Sequence, residues 1–391
     1  RVFAKWGAKR ISERGWARGG AMESQRREDE KAARHAADGS ESLQSGVSRS
    51  EQSRVEAARG EDGASELWRP NMALRVVTLP FVIVFLSAHA LITVTLIDTF
   101  LALATLIMSR LGSGARVRLR WIQAKALEVW MTPLIGFLEH FGGLTMRVHG
   151  EKFVEGESAI VVVNHRSWVD SVALYCISRQ VNAHGALKFF AKKSLMLFPI
   201  YGVAGHVLNA CVFITRSASR ATRRLRSEFA HLTELALEQH LAIKPPQFWM
   251  ISYLEGTRRT SKKVQEAREF ALERGLKPLT HVLQPRVKGF VAMATELRPA
   301  AHAVYDITLG YAHARNDEDN PQPAFTSILF DYCCGRERVL HVYQRRIPMA
   351  EVPEDEAALR EFVYALYQKK DELLEQFETK REFPQPKLEW T

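Results

Sequence analysis

The sequence predicts an α/β fold: a mostly parallel sheet flanked by helices, preceded by an N-terminal membrane hairpin. Three observations carry that expectation. Ala159–Val163 is a short, β-branched run with no polar break, the pattern of a strand buried on both faces of a parallel sheet. Further strand-like runs follow at Leu187–Ala191, Cys211–Thr215, Phe248–Leu254, His281–Gln284 and Ala303–Leu309, with helical patterns at Ala218–His240, Ser261–Gly275 and Phe290–Leu297 between several of them. Alternation of this kind builds a parallel sheet with helices on both faces. Finally, Val76–Met108 is apolar apart from Thr, Ser, His89 and Asp98. As a helix it would extend roughly 50 Å, more than one crossing of a ~30 Å hydrocarbon layer needs.

The chain has 391 residues, 46% of them apolar, and a net charge of +10. That is enough to bury a sizeable core, and the charge favours an anionic partner such as an acidic membrane leaflet or a phosphate-bearing substrate. Nucleic acid is set aside, because much of the basic charge lies in the tail and membrane flanks and no binding motif occurs. Cys176, Cys211, Cys333 and Cys334 have no Cys-x2-Cys spacing. No metal site is expected, and a reduced, cytosol-facing protein is.

Four segments are expected in order. Residues 1–71 form a disordered basic tail, too poor in large apolar residues to fold. The first residue is Arg, and Met72, just before the apolar run, is an alternative start. Residues 72–146 hold the membrane hairpin and an interfacial helix. Arg69 and Arg75 precede the apolar run and Arg110, Arg116, Arg118 and Arg120 follow it, which keeps both ends on the cytoplasmic side; one tilted helix and a soluble core hairpin are the alternatives. Trp121, Trp130 and Phe137 mark the interfacial element, with packing on the next domain as the other reading. Residues 147–350 form the α/β domain, including a polar loop at Asn316–Pro323 and an edge strand at His341–Ile347. Residues 351–391 carry an amphipathic helix, Glu354–Lys380, stopped by Pro384 and Pro386.

The chemistry is expected at the carboxyl ends of the strands, where open α/β sheets bind ligands. Asn164-His165-Arg166-Ser167-Trp168-Val169-Asp170 follows the Ala159–Val163 run. On one continuous helix the five-residue spacing of His165 and Asp170 would rotate them roughly 140° apart. They meet only if His165 sits in the strand-to-helix turn and Asp170 in the first helical turn, with Ser167 as N-cap. The carboxylate then fixes the imidazole tautomer and leaves its other nitrogen free to take a proton. Arg216 follows the strand at Cys211–Thr215, Glu255-Gly256-Thr257-Arg258 follows Phe248–Leu254, and Pro285-Arg286 follows His281–Gln284.

These blocks, in this order, resemble the glycerolipid acyltransferase family. The matching residues are Asn164-His165-x4-Asp170, Phe213-Ile214-Thr215-Arg216, Glu255-Gly256-Thr257-Arg258 and Leu283-Gln284-Pro285. Lys192, Pro199 and Gly202 between the first two blocks match as well, and the likeness runs over roughly residues 72–386. It implies transfer of a fatty acyl group from acyl-CoA, a co-substrate and not a resident cofactor, to the free hydroxyl of a lysophospholipid. The first acceptor implied is 1-acylglycerol-3-phosphate, giving phosphatidic acid, at the cytosolic face of the endoplasmic reticulum or a related membrane. Lysophosphatidylinositol or lysocardiolipin acylation, a CoA-independent transacylase and a catalytically dead membrane scaffold are the alternatives.

The residues fit that chemistry. His165, oriented by Asp170, is the candidate base. The chain contains no Gly-x-Ser-x-Gly elbow, so direct attack by the lipid hydroxyl is expected in place of a serine acyl-enzyme. Arg258 and Arg216 can each offer a bidentate fork to phosphate or form structural ion pairs. Glu255 either holds Arg258 or contacts the glycerol, and Gly256 permits close backbone approach. Pro285 shapes an acyl or CoA channel, while Lys192 reaches a phosphate or is simply solvated. Asn164 and Thr257 complete the expected substrate site. Tyr253-Leu254 departs from the family's aromatic-Pro pair, and no apolar segment follows Phe383-Pro384, leaving membrane attachment to residues 76–108 unless the chain is truncated.

Overall fold

The computed structural model describes residues 72–92, 95, 98–140, 144–167, 169–197, 202–214, 229–230, 232–233, 245–311, 338–384 and 387–388. The expected tail, Arg216, the loop at 316–323 and most of the helix expected at 218–240 lie outside them. The described residues fall within one compact unit, Arg69–Thr391.

An eight-stranded sheet organises that unit. Its strands are β1 (Leu144–Gly150), β2 (Ala159–Val163), β3 (Leu187–Lys192), β4 (Cys211–Ile214), β5 (Trp249–Ser252), β6 (Ala303–Tyr311), β7 (Arg338–Pro348) and β8 (Lys387–Leu388). They lie in the order β4-β3-β5-β2-β6-β7-β1-β8. The first five are mutually parallel, so their carboxyl ends share one edge. Next to them, β7 runs antiparallel to β6, β1 parallel to β7, and β8 antiparallel to β1.

Alternation along the strands feeds two cores. Ala159, Val161, Val163, Trp249, Ile251, Tyr305 and Ile307 face one side, where α3 (Ser113–His140) contributes Leu127, Met131 and Ile135 and α4 (Val169–Arg179) contributes Ala173, Leu174 and Ile177. Ile160, Val162, Met250 and Val304 face the other, against Phe290, Met293 and Leu297 of α7 (Val287–Leu297) and Leu366, Leu374 and Phe377 of α8 (Glu356–Lys380). A strand with both faces buried needs apolar residues at every position, and β2 is buried along its whole length. The α8 helix is capped by Asp355, which accepts the Ala358 N–H at 3.0 Å, and ends at Arg381 in a left-handed conformation.

Two expectations need correction. The strand expected at His341–Ile347 is β7; it lies inside the sheet, because Met146 and Val148 of β1 bury against the same core and continue the sheet beyond it. His281–Gln284 is not a strand. Its donors go to carboxylates instead: Asp371 accepts from Thr280, His281 and Val282 N–H at 2.6–3.2 Å, and Glu255 accepts from Leu283 N–H at 3.2 Å. Buried N–H groups can thus be satisfied without a neighbouring strand. The 76–108 run divides into α1 (Met72–Ile92), which contains Pro80, and α2 (Asp98–Met108), two helices in place of the single tilted one. Among the described residues no helix is long and apolar enough to cross a membrane. Phe81, Val84, Phe85 and Leu91 of α1 and Phe100, Leu103, Leu106 and Ile107 of α2 are exposed, while α3 packs its Leu127–Ile135 stripe into the core.

Candidate active site

The β2 strand stops at Val163 and the chain turns through Asn164–Ser167 before α4 begins. Ser167 Oγ accepts the Val169 N–H at 3.3 Å, the local bond that starts the helix and the role expected for an N-cap. Asp170 lies in the first turn of α4. Its Oδ2 is 2.9 Å from His165 Nδ1 and also accepts the backbone N–H groups of Arg166 and Ser167, both at 2.7 Å. The remaining oxygen, Oδ1, accepts the Tyr311 hydroxyl from the end of β6. Asp170 is fully buried and the His165 side chain is 19% exposed. The carboxylate is therefore locked in the protein while the imidazole reaches the surface of the site.

Neighbouring segments fix the turn. Asn164 is buried, and its amide bonds Leu309 of β6 twice, donating to the carbonyl at 3.1 Å and accepting from the N–H at 2.8 Å. Glu255 follows β5, the strand beside β2. Its Oε1 accepts the His165 N–H at 2.8 Å and its Oε2 the Leu283 N–H, so it ties three chain segments together and is not paired with Arg258. Burial pushes the Glu255 carboxyl up to about 8, against the opposite pull of these two backbone N–H groups. The His165 carbonyl accepts the Arg259 N–H at 3.1 Å. The Tyr253 ring stacks on His165 with centroids 4.1 Å apart, and its hydroxyl lies 3.0 Å from Ser171 Oγ.

Gly256 closes the turn after β5, its N–H donating to the Tyr253 carbonyl at 2.9 Å. Its φ is +68°, and a Cβ there would lie 2.7 Å from Arg286 Nε. Left-handed backbone costs an L side chain roughly 1–2 kcal/mol. Gly256→Ala is expected to lower stability by about that amount and to push Arg286 aside, with a fall in the thermal midpoint as the readout.

The remaining expected residues sort by position. Thr257 is half-buried and Arg258 exposed. Pro285 is buried, and the next residue donates its N–H to the Leu254 carbonyl at 2.7 Å, pinning this loop to the end of β5. Lys192 is exposed at the end of β3, paired with Ile214 of β4. It shares the edge with His165 but lies two strands away, about 10 Å at normal strand spacing. Arg216 lies outside the described residues.

Four contributors escaped the sequence reading. Tyr311 and the Tyr253 ring hold the two members of the pair. Arg166 is buried, 3.7 Å from Glu378 of α8. Lys370 of α8 is fully buried, 2.5 Å from Asp306, and donates to the carbonyls of Val162 at 3.2 Å, just behind the end of β2, and Ile307 at 2.6 Å, midway along β6. Its signal was its place on the apolar stripe Leu359, Val363, Leu366, Leu373, Phe377.

A base backed by a buried carboxylate, at the carboxyl edge of a parallel sheet, is suited to taking a proton from a hydroxyl. Residues 145–312 match the family model described as "Acyltransferase", and residues 332–390 the one described as "Acyltransferase C-terminus". The chain belongs to the glycerolipid acyltransferase family. It is similar to the 1-acyl-sn-glycerol-3-phosphate acyltransferase delta of Rattus norvegicus, 30% identical over 281 residues, which are 70% of this chain and 69% of that protein. The Bos taurus delta protein is 32% identical over 240 residues, 60% of this chain and 58% of that one. The Mus musculus gamma protein is 30% identical over 228 residues, 58% and 55% of the two chains. The chain thus spans somewhat more than half the length of the bovine relative. Among solved structures, the 1-acyl-sn-glycerophosphate acyltransferase PlsC from Thermotoga maritima aligns with a TM-score of 0.44 at 15% identity, covering 80% of this chain and 100% of that one.

Proposed function

We propose that this protein transfers a fatty acyl group from acyl-CoA to the free hydroxyl of a lysophospholipid, with 1-acylglycerol-3-phosphate as acceptor and phosphatidic acid as product. The observation that carries the proposal is the 2.9 Å contact of His165 Nδ1 with a buried Asp170. Asp170 holds the Nδ1–H tautomer, so Nε2 takes the proton as the acceptor hydroxyl attacks the thioester carbonyl. Collapse of the tetrahedral intermediate breaks the carbon–sulfur bond, and the imidazolium returns its proton to the leaving CoA thiolate. No acyl-enzyme forms in this sequence.

Arg258 is the cation assigned to the acceptor phosphate. It is exposed and makes no hydrogen bond or ion pair with another described residue. Lys192, exposed at the end of β3, is a further candidate for an anionic group, as is Arg216 by its place in the sequence. The names of the relatives support lysophosphatidate as acceptor. The exposed apolar residues of α1 and α2, flanked by arginines, support attachment to an anionic leaflet. A cytosol-facing position on the endoplasmic reticulum or a related membrane follows from that reading.

The test uses the full chain in anionic vesicles with labelled oleoyl-CoA and a panel of lysophospholipids. Preferred use of lysophosphatidate is the expected result. Preference for lysophosphatidylinositol or lysocardiolipin would keep the mechanism and change the acceptor; transfer only from a phospholipid donor would replace acyl-CoA. Arg258→Lys exchanges a bidentate fork for a point charge. It is expected to raise KM for lysophosphatidate about tenfold, the loss of one charge-assisted hydrogen bond of about 1.5 kcal/mol, with KM for acyl-CoA little changed. Equal rises for both substrates would instead assign Arg258 a structural role.

A further inference from the structure

We propose that Tyr311 is a positioning residue of the site: its hydroxyl holds the Asp170 carboxylate in the one orientation that keeps His165 set for proton transfer. This rests on the acyl-transfer reading above. The four donors around Asp170 are unequally divided. His165 Nδ1 and the N–H groups of Arg166 and Ser167 all meet Oδ2, whereas Tyr311 meets Oδ1. The three donors on Oδ2 come from the turn that carries His165 itself. They move with that turn and cannot define its position against the sheet.

Tyr311 is different. It is the last residue of β6, whose register with β2 is fixed from Ala159↔Ala303 to Val163↔Ile307. Two residues back, Leu309 is clasped by the Asn164 amide. The phenol therefore reaches Asp170 from a rigid platform on a second strand. Tyr311 is buried, and burial together with the Asp170 charge pushes its hydroxyl well above the usual tyrosine range. It remains protonated and can only donate to the carboxylate. Without it, Oδ1 would be a buried charged oxygen lacking a donor, and rotation of the carboxylate toward other donors would break the alignment with Nδ1.

The chain supplies a similar hold on the other member of the pair. The Tyr253 ring lies against the imidazole, and its hydroxyl meets Ser171 on α4. Tyr253 limits how the imidazole turns, while Tyr311 determines where its partner carboxylate points.

Tyr311→Phe keeps the ring and removes the donor. It is expected to lower kcat about tenfold with KM for both substrates within about twofold, and to lower the thermal midpoint by a few degrees because Oδ1 is left without its donor. In an Asp170→Asn background the same change is expected to have no further effect, because its action passes through Asp170. Proton NMR of the full chain supplies a readout independent of turnover: the low-field His165 Nδ1–H resonance, identified by its loss in His165→Ala, is expected to shift in Tyr311→Phe. A wild-type kcat with an unshifted resonance would overturn the proposal, as would an equal loss of kcat in the wild-type and Asp170→Asn backgrounds. If the wild type transfers no acyl group while the resonance shifts, the acyl-transfer reading fails and the positioning of the pair stands.

Discussion

Replacing His165 with alanine is expected to lower acyl transfer about 10³-fold, within the range of about 10²–10⁴ that a positioned general base contributes. The fold should survive the change. Asp170 would keep the N–H groups of Arg166 and Ser167 on Oδ2 and the Tyr311 hydroxyl on Oδ1, so no buried charge loses all its donors. The imidazole itself is partly exposed and its removal opens no large cavity. Circular dichroism and thermal melting of the variant should match the wild type, with binding of acyl-CoA retained. Loss of activity accompanied by unfolding would mean that His165 is structural; retention of a near-native rate would remove it from the mechanism.

The largest effect on stability is expected at Lys370. Its ammonium is fully buried between α8 and the sheet, paired with Asp306 and bonded to carbonyls of β2 and β6. Burial pushes this group below the usual lysine range and the Asp306 carboxylate opposes that push. Lys370→Met keeps much of the volume but leaves Asp306 with only the partly exposed Arg345, at 2.9 Å. Removing one partner of a buried pair costs about 3–5 kcal/mol. Arg345 compensates in part, so a loss of about 3 kcal/mol is expected, lowering the thermal midpoint by about 5–10 °C. Adding Asp306→Asn should recover part of that loss, because the uncompensated charge is then gone. A midpoint within about 1 °C of wild type for Lys370→Met would show that this pair contributes nothing net.

Local patterns made half of this molecule legible. The His165–Asp170 geometry could be reasoned from spacing, because only a strand-to-helix turn lets the two meet, and β2 and α4 lie where that reasoning required. The two-sided burial of β2 followed from its unbroken apolar composition. What remained hidden depends on contacts distant in sequence. Tyr311 lies 141 residues from Asp170 and Lys370 lies 208 from Val162, and neither residue type announces a partner. Glu255 is expected from its sequence neighbours to hold Arg258 or to contact the glycerol, whereas its oxygens reach backbone N–H groups of two other segments. The His281–Gln284 segment had a strand's composition, but its hydrogen bonds are made to Asp371 and Glu255, which no local pattern reveals. Antiparallel β7 was misplaced at the edge for a related reason: β1 precedes it by nearly two hundred residues, and the two pair only in the folded sheet.

The most direct test of the proposed function is one acid-quenched incubation of the full chain, in anionic vesicles, with labelled acyl-CoA and 1-acylglycerol-3-phosphate. Label should appear in phosphatidic acid with one CoA released per acyl group transferred, none should remain on the protein, and His165→Ala should give almost no product. Absence of labelled lipid from the wild type, label held covalently on the protein as a turnover intermediate, or transfer that persists in His165→Ala would each contradict direct, His165-dependent acyl transfer.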